Sequence, residues 1–271
     1  MPHSFDLKAY LQRIGYTAPV APDVATLRAL AVAHAAAIPF ENLNPLLGEA
    51  VELTPEAVAR KLVQAHRGGY CFEQNLLFAE ALRAVGFEVS GLIARVLWKR
   101  AEDAITPHTH MLLRIELAGE SWLADVGFGS QTLTGALRLR AGIEQPTTHE
   151  PFRLMMVDGD WRMQSLVHGQ WLSLYRFDLR RTWPVDYAVA NYYVSTWPES
   201  SFVTNLVVSR TDTERRLSLR NHEFTVRRMD REPERRTLRD GAQIRQVLER
   251  EFLLTLPEHP RLDTVLATLP D

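Results

Sequence analysis

The chain has 271 residues, 31 Lys+Arg against 33 Asp+Glu, 46% hydrophobic residues and a single cysteine, Cys71. One thiol excludes an internal disulfide and a cysteine-rich zinc site, and a formal charge of -2 without a basic stripe argues against a nucleic-acid partner. No stretch reaches the ~18 uncharged apolar residues of a membrane span, and MPHSFDLKAYLQRIGY shows no basic then apolar leader, so a cytoplasmic protein with a large core is expected.

In chain order, the first third reads as helical. Phe5, Leu7, Tyr10, Leu11 and Ile14 recur at helical spacing before Gly15, and Leu27, Leu30, Ala31, His34 and Ile38 do so before Pro39. Thr54-Pro55-Glu56 is an N-cap followed by proline at the first helical position, and that helix is expected to run to Arg67-Gly68-Gly69. A fourth helix starts after the two glycines and continues through Phe72, Leu76, Leu77, Ala79 and Leu82 to Val85, with Gly86 as its C-terminal cap. From Phe87 the apolar period changes to two. FEVSGLIARVLW, HMLLRIEL, SWLADV, FRLMMV and WRMQSL read as antiparallel strands, the last two joined at Asp158-Gly159. The tail mixes strands (FVTNLVVSR, RRLSLR, HEFTVRR) with a helix around residues 242–252, and the stretch Arg227 to Arg236, five Arg against three acids, reads as a solvated loop.

The surroundings of Cys71 point to chemistry. In Arg67-Gly68-Gly69-Tyr70-Cys71 the thiol falls at the first turn of a helix, where the dipole, unsatisfied N–H groups and a nearby arginine favour thiolate, and the glycines leave room for a sharp turn and an approaching substrate. The same N–H groups could stabilise an oxyanion. A thiolate needs a base and the base needs an orienting group. Of nine histidines, His3, His149, His168 and His259 have surface-like contexts, whereas His110 opens a strand and the next strand carries Asp125 among apolar neighbours. A symmetric turn over Ala118 to Ser121 places Arg114 opposite Asp125 and His110 opposite Gly129. His110 and Asp125 then share a face but lie four residues, roughly 13 Å, apart, so twist, a bulge or a shifted register must close the gap. His108-x-His110 also has metal-ligand spacing, but no second cysteine or acidic helix supports a site, and no metal is expected.

These residues carry a resemblance to the arylamine N-acetyltransferases. Arg67-Gly68-Gly69-Tyr70-Cys71-Phe72-Glu73-Gln74-Asn75 resembles the family's nucleophile motif, Thr109-His110 with Leu112 its histidine motif, and Trp122-Leu123-Ala124-Asp125-Val126-Gly127-Phe128-Gly129 its aspartate motif. Tyr10-Leu11-x-Arg13-Ile14, Ile38 to Leu43 and NYYVSTWPESSF also resemble family elements, over residues ~1 to ~205. The resemblance implies an α+β fold with a cysteine-protease- or transglutaminase-like catalytic core: a helical bundle (1–86), a central antiparallel β-barrel (87–197) and a C-terminal α/β lid (198–271). It implies a Cys71-His110-Asp125 triad that takes an acetyl group from acetyl-CoA and passes it, by a ping-pong route, to an arylamine, a hydrazine or an N-hydroxyarylamine. By analogy the aromatic acceptor lies against Phe40, Val96, Phe128 and Phe202, while Thr109, Gly127 and Gly129 line the coenzyme A approach. The expected partners are therefore small molecules, with the chain a monomer or homodimer. No phosphate-cradling glycine loop is present, which leaves Lys99-Arg100 or Arg227 to Arg236 for the coenzyme phosphates. Two other readings suit a Cys, His, Asp order: a papain- or transglutaminase-like thiol hydrolase, opposed by the lack of a C-G-x-C-W signature, and a non-catalytic binder of aromatic ligands.

Overall fold

The computed structural model describes residues 5–229 and 231–270; His3 and Asp230 lie outside them. The first two helices, α1 (Leu7–Arg13) and α2 (Val24–Ala37), begin where Asp6 and Asp23 accept hydrogen bonds from the N–H groups of Ala9 and Thr26 at 2.9 and 2.7 Å. A short α3 (Leu43–Leu47), not foreseen from the sequence, ends on Gly48 in the left-handed region. Thr54 caps α4 (Pro55–Ala59), but the regular helix stops there instead of reaching Arg67. Residues Arg60–Gln64 form a π-helical turn closed by Ala65 N–H on Arg60 O. Helix α5 (Cys71–Val85) has the expected bounds and closes on Gly86 at φ +108°.

Eight strands form one antiparallel sheet: β1 (Glu88–Val96), β2 (His108–Leu117), β3 (Glu120–Ala124), β4 (Leu137–Arg138), β5 (Glu144–Gln145), β6 (Phe152–Val157), β7 (Asp160–Val167) and β8 (Gln170–Phe177). Their order is β4-β3-β2-β1-β8-β7-β6-β5, so a complete backbone barrel is not formed. The end strands are two residues each, too short for a ladder, and the Gln145 side chain bridges them instead: its amide accepts from Arg138 N–H at 2.8 Å and donates to Arg138 O at 3.0 Å. The result is a nearly closed sheet. Three of its hairpins turn on two left-handed residues, Ala118-Gly119, Asp158-Gly159 and His168-Gly169. Only the second has the usual Asp-Gly signature, which is why β8 did not stand out in the sequence.

Helix α6 (Pro184–Thr196) and α7 (Ser201–Thr204) follow, then a four-stranded antiparallel sheet of β9 (Val207–Thr211), β10 (Arg215–Arg220), β11 (Glu223–Arg228) and β12 (Glu234–Thr237), with α8 (Gly241–Arg250) and α9 (Leu262–Ala267) behind it. The segment FVTNLVVSR is thus not one strand. Ser200 caps a helical turn, and the Asn42 amide donates to Phe202 O and Asn205 O, both at 2.7 Å, bending the chain before β9. Nor is Arg227 to Arg236 simply a loop, since it supplies the end of β11 and most of β12.

Strand β2 shows how the apolar pattern divides the interior. Met111, Leu113 and Ile115 pack with the N-terminal helices, while Leu112 packs inside the curled sheet with Leu92, Tyr175 and Phe177. The helical bundle in turn holds the start of α5 through a buried relay. Gln74 donates to Pro39 O at 2.8 Å and Gly69 O at 3.1 Å; its carbonyl therefore accepts from His34 Nε2 at 2.7 Å, and His34 Nδ1 accepts from Tyr10 Oη at 3.0 Å. Burial pushes the fully enclosed His34 imidazole down to about 4, against a smaller upward pull from the Gln74 bond.

Because that folded value is depressed below the ordinary 6.5, neutral His34 stabilises the fold above pH 6.5, and the contribution is lost as pH falls through about 4. His34→Gln is expected to be less stable than the wild type at pH 7, with the gap narrowing by roughly 2 to 3 kcal/mol at pH 4.5 in urea unfolding. A gap that does not change with pH would mean that His34 is not held neutral.

Candidate active site

Cys71 is the first residue of α5, so its N–H has no intrahelical partner. Tyr70, in extended conformation, donates its own N–H to Glu73 Oε2 at 3.0 Å, which fixes where the helix starts. The two preceding glycines serve packing rather than substrate access. A Cβ on Gly68 would lie 2.1 Å from Pro39 O, and one on Gly69 would lie 2.6 Å from the Glu73 carboxylate; neither residue has positive φ. Arg67 likewise does not serve the thiol as its neighbourhood suggested. Its guanidinium pairs with buried Glu41 at 2.8 Å, and Lys61 pairs with Glu73 at 2.7 Å, because two carboxylates enclosed beside the helix start must be compensated. Coulombic attraction from Arg67 and Lys61 overcomes burial at Glu41 and holds its carboxyl low, whereas burial wins at Glu73 and raises it.

The His110–Asp125 gap closes by register. Strand β2 pairs Leu113 with Ala124 and Leu117 with Glu120, because the hairpin turns on Ala118-Gly119 alone. This is a shift of two residues from the symmetric four-residue turn. Continued one step, it sets Asp125 opposite Leu112, on the same face as His110 and two residues from it. Asp125 also lies just past β3, free of the ladder, and its Oδ2 reaches His110 Nε2 at 2.7 Å. The residues are 1% and 3% exposed. Asp125 Oδ1 accepts from Asn75 Nδ2 and from Gly127 N–H, both at 3.0 Å. Burial alone would raise this carboxyl; the facing imidazole and these hydrogen bonds hold it below its ordinary value.

Cys71 Sγ lies 3.5 Å from Thr109 O, next to His110. Burial presses the His110 imidazole down, but the charge and hydrogen bond of Asp125, together with those of Cys71, raise it to about 10. The ring is clamped between aromatic groups, with centroids 4.9 Å from Tyr175 and 5.0 Å from Phe128. Tyr175 and Asn75 had no assigned role in the sequence reading. Asn75 carried a usable signal: it stands four residues after Cys71, on the same helix face, and an interior amide there needs partners. It donates to Met111 O at 2.8 Å and accepts from Val126 N–H at 3.1 Å.

The residues expected to line the substrate path fall into two adjoining groups. Phe40 and Phe202 pack with ring centroids 5.8 Å apart, and Tyr70 lies 5.7 Å from Phe202. Val96 pairs with Tyr175 across β1 and β8, and Phe128 is 5.2 Å from Tyr175. Gly129, at φ +81°, joins the groups, since a Cβ there would come 3.8 Å from the Phe40 ring. Gly127 lies against the start of α5, where a Cβ would stand 2.8 Å from Cys71 Cα. Of the basic residues considered for phosphates, Lys99 and Arg100 are exposed, while Arg227 is committed to Glu150 at 2.8 Å and Arg228 pairs with Glu234. His108 faces Arg95 rather than the His110–Asp125 pair, and no group of three or more His, Cys, Asp or Glu side chains converges as a metal site among the described residues. Nor is any helix among them long and apolar enough to cross a membrane.

A model of the N-acetyltransferase family matches residues 23–261. The arylamine N-acetyltransferase of Escherichia coli K12 is 41% identical over 247 residues, covering 91% of this chain and 88% of that protein. A Salmonella typhimurium relative, called arylamine N-acetyltransferase / N-hydroxyarylamine O-acetyltransferase, is 40% identical with the same coverage. The structure of Mycobacterium marinum arylamine N-acetyltransferase in complex with CoA superposes with a TM-score of 0.93 at 37% identity, over 97% of this chain and 99% of that one. With the family's motifs on one buried site and the whole fold shared, the chain belongs to the arylamine N-acetyltransferase family.

Proposed function

We propose that the chain transfers an acetyl group from acetyl-CoA to aromatic amines and hydrazines, and to the oxygen of N-hydroxyarylamines, through an acetyl-Cys71 intermediate. The observation that carries this reading is the placement of the Cys71 thiol at a helix start beside a buried His110 that Asp125 holds at 2.7 Å. The names of the relatives and the CoA complex of one of them support the donor and acceptor classes.

In the first half-reaction Cys71 Sγ, its proton on His110, attacks the thioester carbonyl, and the Cys71 N–H, which has no intrahelical partner, donates to the developing oxyanion. The carbon–sulfur bond to coenzyme A breaks, and the departing thiolate takes the imidazolium proton. In the second, the acceptor nitrogen attacks acetyl-Cys71, His110 removes its proton, and the Cys71–acetyl bond breaks. Asp125 keeps the imidazole oriented and stabilises its charged form. Phe40, Val96, Phe128 and Phe202 offer the aromatic acceptor an apolar wall, and Thr109 and Gly129 border the donor's approach. Gly127 contributes by having no side chain, which lets the aspartate loop lie directly on the nucleophile helix. The division into residues 1–86, 87–197 and 198–271 fits this scheme, with the nucleophile, the base and its orienter, and the covering segment in successive parts. The order of thiol, base and orienter is also that of thiol hydrolases; an acyl-transferring core of that type is our reading.

Incubation with acetyl-CoA and no acceptor is expected to leave an acetyl adduct on Cys71 in the intact mass, which an aromatic hydrazine discharges. Cys71→Ser should form none, and Asp125→Asn should lower turnover about a thousandfold or more. Release of peptide or glutamine products without an adduct would place the protein among the hydrolases. The raised His110 value also makes a prediction: its pairing stabilises the fold fully below its ordinary 6.5 and fades as pH rises through about 10, so Asp125→Asn should flatten that alkaline decline in thermal unfolding.

Asn75→Ala removes one of the two hydrogen bonds to Asp125 Oδ1 and leaves the Val126 N–H without its acceptor. Single-turnover acetylation of Cys71 is expected to slow by about ten- to a hundredfold through misplacement of the imidazole. A variant that acetylates at the wild-type rate would show that His110 and the Gly127 N–H fix Asp125 without Asn75.

A further inference from the structure

Helix α6 carries apolar side chains on both of its faces. Tyr187, Ala190, Asn191, Val194 and Ser195, at helical spacing, form the stripe buried against the rest of the molecule. Tyr187 packs on Phe72 with ring centroids 6.0 Å apart and donates to Leu92 O at 3.3 Å, while Asn191 donates to Val51 O at 2.9 Å and accepts from Tyr70 Oη. The opposite stripe, Val185, Ala188, Val189, Tyr192 and Thr196, follows the same period and has no cover. Val185, Val189 and Tyr192 are 66%, 68% and 71% exposed, and Trp183, Tyr193 and Trp197 beside them are about half exposed. A solvated helix face normally carries charge. Between Val185 and Pro198 the one charged side chain is Asp186, and it is engaged at the helix start, accepting from Trp183 N–H at 2.8 Å. A helix that is apolar all round is one that is covered all round, and this fold covers only one side of α6.

The exposed aromatic groups are ordered. Tyr193 and Trp197 stack with centroids 6.0 Å apart and planes 17° from parallel, and the Arg181 guanidinium lies 3.6 Å from the Trp183 ring centroid. With about half of each aromatic surface and more of each valine in solvent, the patch offers on the order of 700 Å². The largest apolar patch on a monomer is roughly 300–600 Å², whereas each partner in a stable protein–protein interface contributes about 800 Å².

We propose that this face of α6 pairs with the same face of a second copy of the chain, the two helices antiparallel about a two-fold axis between Val189 and Tyr192. Val189 then meets the partner's Tyr192 and Ala188 meets the partner's Tyr193, so smaller side chains oppose the tyrosines, and Val185 meets the partner's Thr196. A surface that binds its own copy gains from having no charge at its centre, since like would face like there. The ends complement each other as well. Arg181 lies before the helix and Glu199 after it, both exposed, and antiparallel pairing sets Arg181 of each copy beside the partner's Glu199, where a parallel pair would oppose like charges. The proposal does not rest on the acetyl-transfer reading above.

Sedimentation velocity of the full chain, from low to high micromolar concentration, is expected to show a concentration-dependent dimer. Val189→Glu and Tyr192→Glu, each at a largely exposed side chain, should weaken it about thirtyfold or more by burying an unpaired charge, with far-UV circular dichroism unchanged. Arg181→Glu should weaken it severalfold, and adding Glu199→Arg should restore it. A wild type that stays monomeric at high micromolar concentration overturns the proposal, including the case where it binds phosphatidylcholine vesicles through α6 instead. So does a dimer that both glutamate variants leave intact, which would place the interface elsewhere. A charge exchange that restores nothing overturns the antiparallel pairing.

Discussion

The site depends on one constraint: a carboxylate that is 1% exposed must be satisfied by protein groups alone. Asp125 meets it with three hydrogen bonds, from His110 on one oxygen and from Asn75 and Gly127 on the other. Each draws in a different element. His110 fixes the start of β2, Asn75 fixes α5 one turn beyond Cys71, and Gly127 N–H fixes the loop after β3. Because that loop must lie against Cys71 Cα, only glycine fits at 127. Satisfying the aspartate therefore brings thiol and imidazole together as a consequence.

The rest of the molecule holds these elements in place. The segment Pro39–Glu41 runs between the residues before Cys71 and the small sheet: Glu41 N–H donates to Gly69 O at 3.1 Å, while Phe40 exchanges backbone hydrogen bonds with Ser209 at 2.8 and 3.0 Å. The C-terminal sheet is thus attached to the loop before Cys71 through Phe40. A second attachment is ionic. Buried Glu150 receives Arg216 at 3.0 Å and Arg227 at 2.8 Å, and the same arginines hold Thr132 O and Gln131 Oε1 just beyond Gly129. Enclosed charges of this kind cost desolvation and stabilise little in net terms, but removing one partner leaves the others uncompensated. They specify where the turn after the aspartate loop sits.

Much of this was legible in the chain. The bounds of α5, its glycine cap, the switch to period two near residue 87 and the shared face of His110 and Asp125 all follow from local chemistry, since capping and alternation depend on residues a few positions apart. What failed did so for identifiable reasons. Ala118-Gly119 and His168-Gly169 turn as tightly as Asp158-Gly159 without its signature; the first error displaced the register by two, and the second hid β8 and with it Tyr175. Arg67 and the paired glycines were assigned to the thiol because they adjoin it in sequence. Their actual partners, Glu41, Pro39 and Glu73, are recruited by burial.

The sequence by itself determined one thiol at a helix start, a histidine and an aspartate sharing a face of one hairpin, and the motifs that set the family. Tertiary structure alone decided the distances and the roles of everything around them. Periodicity says which face a side chain takes but not which of several in-phase registers a hairpin adopts, and that choice brought His110 to 2.7 Å from Asp125. Desolvation likewise acts only once the chain is folded, so the His110 value near 10 and the His34 value near 4 could be read only from the packed molecule.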